Sequence, residues 1–274
     1  MTFQARAGRI DSGRSPGANA LMVEPVTKTH ASNIDDAEVA RFGALAAEWW
    51  DPHGKFRPLH KLAPARLAFI RDAAVQHFGR DARSMRPLAG LSTLDIGCGG
   101  GLVTEPVCRM GAAMTGIDPA MECVEAARRH ATGQGLAIDY RAERIEDLAR
   151  RGEAFDLVLC LEVIEHVPDP AAFIKFAAGL VRPGGMMVLS TLNRTMKAFA
   201  LAIVGAEYVL RWLPRGTHQW DRFITPEELA GFVRAIGLGV SDVQGIVYSP
   251  LTDRWSLSAD TDVNYLMAAA RPTN

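Results

Sequence analysis

The chain has 274 residues, 48% of them apolar, so it is long enough to bury a substantial core. Its 30 lysines and arginines almost balance 31 aspartates and glutamates, and the formal net charge is -1. This balance provides no overall positive electrostatic potential that would attract nucleic acid. No apolar run reaches the roughly 18 residues that span a bilayer, and the start of the chain lacks the apolar core of a secretory signal.

The first third of the chain is predicted to be helical after a disordered tail. Residues 1–32 are rich in small and polar residues, and residues 33–90 form a predicted helical extension. Asp35 and Glu38 have the spacing of a capping box at the start of its first helix. The four cysteines show no C-x-x-C spacing, so reduced thiols are expected rather than a zinc site or disulfides.

From residue 91 to residue 271 the pattern alternates between strand and helix, which is typical of a parallel sheet. Five strands are predicted at 92–97, 113–118, 136–141, 155–161 and 185–191, and two more β-like segments at 240–248 and 263–270. Helices are predicted at 101–111, 121–133, 170–181 and 226–237. The chain is therefore predicted to contain one α/β domain behind the helical extension.

A glycine-rich turn joins the first predicted strand to the first predicted helix of this domain. Residues 95–101 read Asp-Ile-Gly-Cys-Gly-Gly-Gly, and Gly97 and Gly99 let the backbone approach a ligand closely. Asp118 ends the second strand, where a carboxylate accepts hydrogen bonds from both ribose hydroxyls of a nucleoside. Together they predict a nucleoside site beyond the carboxyl ends of the strands.

The spacing favours S-adenosylmethionine (SAM) over a dinucleotide. The fingerprint G-x-G-x-x-G fails, because its last glycine would fall at Leu102. Asp95 precedes the glycines, and a carboxylate there suits a cofactor with an ammonium and a sulfonium better than a diphosphate.

A second polar cluster follows the fourth predicted strand. Glu162, Glu165 and His166 have i, i+3, i+4 spacing, so they share one face if the segment is helical. They are candidate ligands for Mg²⁺, which prefers oxygen donors and would stabilise a substrate oxyanion. Alternatively, His166 acts alone as the general base, without a metal. Glu165 is the second candidate catalytic residue. In a third interpretation, Glu165 and His166 only brace the loop.

Residues 193–223 form a longer connection than a crossover requires. Residues 198–210 are almost wholly apolar, and the flanking cationic and aromatic residues are Arg194, Lys197, Tyr208, Arg211, Trp212 and Arg215. Such a segment is too short to span a membrane but suits its interface. We predict that residues 194–215 contact an anionic membrane surface. The alternatives are a lid over a lipid-tailed substrate and an ordinary buried helix.

Five segments resemble the ubiquinone-biosynthesis O-methyltransferase family, which methylates catechol-type precursors carrying a polyprenyl tail. They are EWWDPHGKFRPLHKLAPARLAFI, LDIGCGGGLVTEP, TGIDP, LEVIEHVPDP and HQWDRFITPEEL. The likeness extends over residues 33–271, and the double tryptophan and the His-Gln-Trp-Asp stretch are its most specific parts. The linker from Phe78 to Leu91 is longer than expected for the family.

The resemblance implies a class I methyltransferase fold, which is Rossmann-like. Its mostly parallel sheet would have seven strands, with the last antiparallel and helices on both faces. The resemblance also implies cofactor contacts at Arg66, Gly97, Asp118 and Leu161. The Arg66 guanidinium would reach the methionine carboxylate of SAM, and Leu161 would offer an apolar contact. Members with the Glu-x-x-Glu-His pattern are associated with a divalent cation.

The expected activity is therefore SAM-dependent methylation of phenolic hydroxyls on polyprenyl catechol-type intermediates of ubiquinone biosynthesis. The expected location is the cytoplasm, peripheral on the inner face of the cell membrane, or alternatively the matrix side of a mitochondrial membrane. Other quinone-biosynthesis proteins are possible partners. The competing hypotheses are an O-methyltransferase for another small catechol and a SAM-binding scaffold without turnover.

The double tryptophan and three histidines lie in the same family segments. One of Trp49 and Trp50 is expected to pack in the core and the other to line the substrate pocket. His53, His60 and His218 are expected to be structural, except that His218 would enter the site if the segment 193–223 closes as a lid.

Overall fold

The computed structural model of the protein describes residues 1–2, 35–200 and 220–273. Nearly all of the predicted disordered tail, much of the segment 193–223 and His218 therefore lie outside the described residues. The described residues from 35 onward belong to one compact unit. The division into an extension (33–90) and a methyltransferase domain (91–271) stays a prediction.

A single mixed sheet forms the centre of the described fold, in the order β3-β2-β1-β4-β5-β8-β6-β7. Its strands are β1 Ser92–Ile96, β2 Ala113–Ile117, β3 Asp139–Arg141, β4 Phe155–Leu161, β5 Val181–Leu192, β6 Gly239–Ser249, β7 Arg254–Ser258 and β8 Asn264–Ala270. The first five strands run parallel, and β8 pairs antiparallel with both β5 and β6. The predicted α/β class and the antiparallel last strand are confirmed.

The sheet has eight strands where seven were predicted. The additional strand is β7, which pairs antiparallel with β6 at the edge of the sheet. Only Trp255 and Leu257 of this strand are large apolar residues, and both pack, partly buried, against the core beneath α2. Two apolar positions in a five-residue segment are too few for a recognisable strand pattern.

Helices flank the sheet and precede it. They are α1 Asp36–Ala44, α2 Arg57–Phe78, α3 Thr104–Arg109, α4 Met121–Gly133, α5 Ile145–Arg151, α6 Pro170–Gly179, α7 Met196–Ala198 and α8 Pro226–Ala235. The predicted caps form at two of them: the Asp169 carboxylate accepts from the Ala172 N–H, and Thr225 and Glu228 make a reciprocal capping box. In the described ranges, no helix is long and apolar enough to cross a membrane.

Two hydrophobic cores lie on opposite faces of the sheet, and β4 contributes to both. Val158 and Cys160 pack with α5, α6 and α8 on one face, whereas Leu157 and Leu159 pack with α2 and α3 on the other. All four side chains are fully buried. A central parallel strand covered on both faces is continuously apolar, as the sequence of β4 is.

We expect Leu157→Ala to lower the free energy of unfolding by about 2 to 5 kcal/mol, because it leaves a cavity between α2 and the sheet. Leu251→Ala is the matched control, since that side chain is 99% exposed. Its effect should stay within about 0.5 kcal/mol. Urea unfolding followed by circular dichroism measures both variants, and equal losses would contradict the assigned core.

Candidate active site

A cavity of about 250 Å³ lies between the carboxyl edge of the sheet and the first two helices. All nine predicted site residues line it: Arg66, Asp95, Gly97, Gly99, Asp118, Leu161, Glu162, Glu165 and His166. The pairing register of the strands explains why these residues lie together. Ile96 at the end of β1 pairs with Ile117 of β2 and with Cys160 of β4. The residues that follow these three strands therefore meet at one edge.

The glycine turn is shaped by close contacts that leave no room for side chains. Gly97 and Gly99 have φ values of 71° and 51°, in the left-handed region. A Cβ at Gly97 would lie 2.5 Å from Val163, and one at Gly99 would lie 2.5 Å from the Trp49 ring. Glycine is thus required at both positions, and the turn presents bare backbone to the cavity.

The two tryptophans hold this turn from different sides. Trp49 is buried, stacks on Phe56 at 3.8 Å and lines the cavity, so it combines the two roles predicted for the pair. Trp50 donates from Nε1 to the Gly100 carbonyl at 2.9 Å and stacks on His130 at 3.4 Å. A ring nitrogen of His60 lies 2.8 Å from the Trp49 carbonyl, which is a structural contact as predicted.

Asp95 is buried and Asp118 is partly buried, and both line the cavity. Asp118 accepts hydrogen bonds from the backbone N–H groups of Gly99 (3.0 Å) and Ala120 (2.8 Å), and burial raises its pKa to about 6. Asp95 accepts from the Thr104 hydroxyl, and burial, with the charge of Asp118, raises its pKa to about 7. Two acids so close together favour a cationic ligand.

Arg66 and Glu162 form an ion pair in the cavity wall. The Arg66 Nη2 lies 2.8 Å from the Glu162 Oε1, and the Arg66 side chain is only 5% exposed. Glu162, at a φ of 55°, also accepts hydrogen bonds from the Ser190 hydroxyl (2.9 Å) and the Asn264 amide (3.1 Å). The buried Arg66 Nε has no hydrogen-bond partner in the described part of the chain.

Glu165 is a buried acid, and only one of its two carboxylate oxygens accepts a hydrogen bond from a described residue. Its Oε2 accepts from the Thr191 hydroxyl at 2.9 Å, while its Oε1 is buried without a hydrogen-bond partner among the described residues. Burial, with the charge of Glu162, raises the pKa of Glu165 to about 7. Close to neutral pH, this carboxyl group can therefore either hold or release a proton.

His166 is paired with an acid from the first helix. Its Nδ1 lies 3.1 Å from the Glu38 Oε2, and the Phe42 ring meets the imidazole edge-on at 5.6 Å. Burial opposes the charged imidazolium, but the hydrogen bond to Glu38 and the charge of Glu165 raise the pKa of His166 above its ordinary value. The Glu38 carboxylate was predicted to cap its own helix, and its observed partners are His166 and Arg41 instead.

The arrangement expected for a magnesium site is not formed. A helical turn would have placed the three predicted ligands on one face, but Ile164–His166 is a short 3₁₀ turn. Glu162 turns to Arg66, Glu165 to Thr191 and His166 to Glu38. Within residues 35–200 and 220–273, no group of three histidine, cysteine, aspartate or glutamate side chains is close enough to hold a metal ion.

Other cavity residues were not predicted from the sequence. They are Asp35, Glu38, Val39, Phe42, Phe56, Leu59, Ala63, Glu143, Arg144, Ile145 and Phe173. Residues 143–145 follow β3, so the rule that located Asp118 also applies to them. Asp35 and Phe56 lie just before α1 and α2, and the others lie on α1, α2 and α6. Their approach to the sheet is a tertiary contact without a local signal.

Comparisons with known proteins agree with this geometry. A methyltransferase-domain family model matches residues 94–189. The ubiquinone biosynthesis O-methyltransferase of Azorhizobium caulinodans is 58% identical over 239 residues, covering 87% of this chain and 94% of that protein. The protein of the same name from Parvibaculum lavamentivorans is 56% identical over 250 residues, covering 91% of this chain and 99% of that one.

Solved structures identify the fold. Magnesium protoporphyrin IX methyltransferase from Synechocystis PCC 6803 with bound SAH matches with a TM-score of 0.58 at 18% identity, covering 86% of this chain and all of that one. At this identity the likeness shows the class I SAM-dependent methyltransferase fold alone. The identities of 58% and 56% carry the closer relationship, because they extend over most of each chain. This chain is a SAM-dependent O-methyltransferase and belongs to the ubiquinone biosynthesis O-methyltransferase family.

Proposed function

We propose that this protein transfers the methyl group of SAM to a phenolic hydroxyl of a polyprenyl catechol-type intermediate of ubiquinone biosynthesis. The family supplies the substrate class. The observation that carries the proposal is that one cavity is lined by Asp95, Asp118, Arg66 and the Glu165–His166 pair. The two aspartates suit a cationic cofactor, and Arg66 suits the carboxylate of that cofactor. The Glu165–His166 pair suits removal of the proton of a phenol.

Each part of SAM has a suitable neighbour in the cavity. Asp118 retains lone pairs for the ribose hydroxyls beyond its two backbone hydrogen bonds. The unpartnered Nε of Arg66 suits the methionine carboxylate. Asp95 offers negative charge to the ammonium or the sulfonium, and Leu161 an apolar contact. When bound, SAM supplies a methyl group already activated by the sulfonium.

The remaining wall of the cavity suits an aromatic ring that carries a long apolar tail. Its apolar members from the helical extension and α6 are Val39, Phe42, Phe56, Leu59 and Phe173. By holding the ring and excluding water, they would align the hydroxyl oxygen with the methyl group, and such alignment supplies much of the catalysis in an in-line displacement.

The phenolic proton must leave before or during methyl transfer. We propose that His166 accepts this proton and that Glu165 assists it. His166 bonds Glu38 through Nδ1, so its Nε2 is the nitrogen left to accept a proton. Glu165 beside it stabilises the imidazolium that results, because its negative charge raises the pKa of His166.

We also propose that a divalent cation binds in the site. The oxygen donors of the two glutamates favour Mg²⁺. The three side chains do not meet at one point in the structure, so Glu162, Glu165 and His166 would hold the cation only after turning toward one another. The unpartnered Oε1 of Glu165 and its electrostatic repulsion with Glu162 support this assignment, because a cation would relieve both. The bound ion would supply Lewis-acid stabilisation of the phenolate oxygen.

Peripheral contact with an anionic membrane through residues 194–215 is also proposed. The described part of this segment carries Met196 and Phe199 as exposed apolar side chains, and Trp220 is exposed just beyond it. Phe199 and Trp220 meet edge-on at 6.5 Å. Exposed apolar residues are typical of an interfacial anchor, and a prenylated substrate is found in the membrane.

We expect Asp118→Asn to weaken SAM binding roughly tenfold to a hundredfold, because hydrogen bonds to a charged acceptor contribute about 1.5 to 3 kcal/mol. Asp139→Asn is the matched control, since Asp139 lies on the next strand with a half-exposed side chain. Isothermal titration calorimetry measures both affinities. Equal binding by Asp118→Asn and the wild type would remove Asp118 from the cofactor site.

We expect the purified protein to methylate a short-chain prenyl catechol with SAM, and to do so more efficiently than a soluble catechol. EDTA should abolish product formation and Mg²⁺ should restore it, because the phenolate then loses and regains its stabilising cation. Mass spectrometry detects the product.

The other outcomes of this assay are equally informative. Product unaffected by EDTA would contradict the cation and leave His166 as the base. Equal efficiency on both catechols would favour another small catechol as the substrate. SAM binding without product from any catechol would contradict the reaction and favour a scaffold.

We expect the protein to sediment with anionic vesicles. Glutamate substitutions at Phe199, Ile203 and Trp212 should reduce this binding severalfold, because each places a negative charge in the proposed contact segment 194–215. Leu251→Glu is the control for an added charge on an exposed leucine elsewhere. Binding that is unchanged in the triple variant would contradict the proposed contact.

A further inference from the structure

A carboxylate–histidine contact joins the helical extension to the site. The carboxylate of Glu38, on α1, lies 3.1 Å from the Nδ1 of His166, and these side chains are only 18% and 17% exposed. The same Glu38 oxygen lies 2.9 Å from the Nη2 of Arg41. Because Arg41 is a permanent cation, the carboxylate between the two residues stays charged and can hold the imidazole N–H.

Acidic residues at the start of α1 contact three elements around the cavity. Asp35 lies 3.8 Å from Arg222, near the end of the segment 193–223, and Asp36 lies 3.5 Å from Arg144, which follows β3. Glu38 makes the third contact, with His166 beyond β4. Of these three acids, only Glu38 contacts a residue assigned to proton removal or metal binding.

We propose that Glu38 is a positioning residue for His166. By accepting the Nδ1–H, it sets the tautomer and the ring orientation, so that Nε2 is the nitrogen presented to the phenol or to a cation. A carboxylate behind a working histidine acts in this way for bases and metal ligands alike. The inference rests on the proposed function of His166 and holds for either of its roles.

A purely structural role for Glu38 is the alternative, since an acid in the first turn also stabilises the helix. Asp36 provides the matched control, because it is in the same turn and its side chain is 88% exposed. Removing its charge tests the helix and its docking without touching His166.

The test compares Glu38→Gln, Glu38→Asp and Asp36→Asn in the full-length protein. We expect Glu38→Gln to lower kcat by about tenfold or more, as loss of such outer partners usually does, with SAM affinity unchanged. Glu38→Asp should recover part of the loss, and Asp36→Asn should match the wild type. Nitrogen NMR of labelled histidines, assigned with His166→Gln, should show the His166 Nδ1 signal shifting in Glu38→Gln alone.

Two results would overturn the inference. One is an unchanged His166 signal and kcat in Glu38→Gln. The other is an equal loss of kcat in Asp36→Asn, which would assign the effect to helix docking. Because the NMR signal needs no turnover, it still reports on Glu38 if the wild type fails to methylate any catechol, an outcome that would count against the proposed reaction alone.

Discussion

The buried ion pair of Arg66 and Glu162 is the contact on which the site depends. It joins α2, from the helical extension, to the end of β4, where the backbone of Glu162 adopts a positive φ. Such a conformation costs on the order of 1 to 3 kcal/mol and persists only when its surroundings hold it. Ser190 and Asn264 complete those surroundings. Loss of either charge would leave the other buried and uncompensated, so the pair holds α2 against the sheet.

Around this pair the cavity contains more acid than base, which determines the ligand it favours. Burial raises the pKa of Asp95 and of Glu165 to about 7, and that of Asp118 to about 6. Raised values mean that burial in the pocket disfavours these negative charges. A sulfonium and an ammonium relieve that penalty, whereas the diphosphate of a dinucleotide would increase it. The failed dinucleotide fingerprint and the electrostatics of the cavity therefore agree.

The sequence was most informative where function depends on local backbone and strand order. Gly97, Gly99 and Asp118 were predictable because a glycine turn and the ends of parallel strands follow local rules. The strand β7 was missed because a short edge strand has few buried positions. Glu38 was interpreted as a capping residue because its spacing from Asp35 is local, whereas its partner His166 becomes a neighbour only after folding.

The helical extension thus forms part of the cavity. Trp49 packs against the glycine turn where a Cβ at Gly99 would clash, α2 supplies Arg66, and α1 supplies Glu38. The sheet alone would present its acids to solvent, where their pKa values would relax and water would compete with a phenol. Covered by these helices, the same edge becomes a partly enclosed pocket in which charges interact more strongly than in open solvent. Trp49 and Trp50 lie at this junction, so the helices contribute to the cavity as the sheet does.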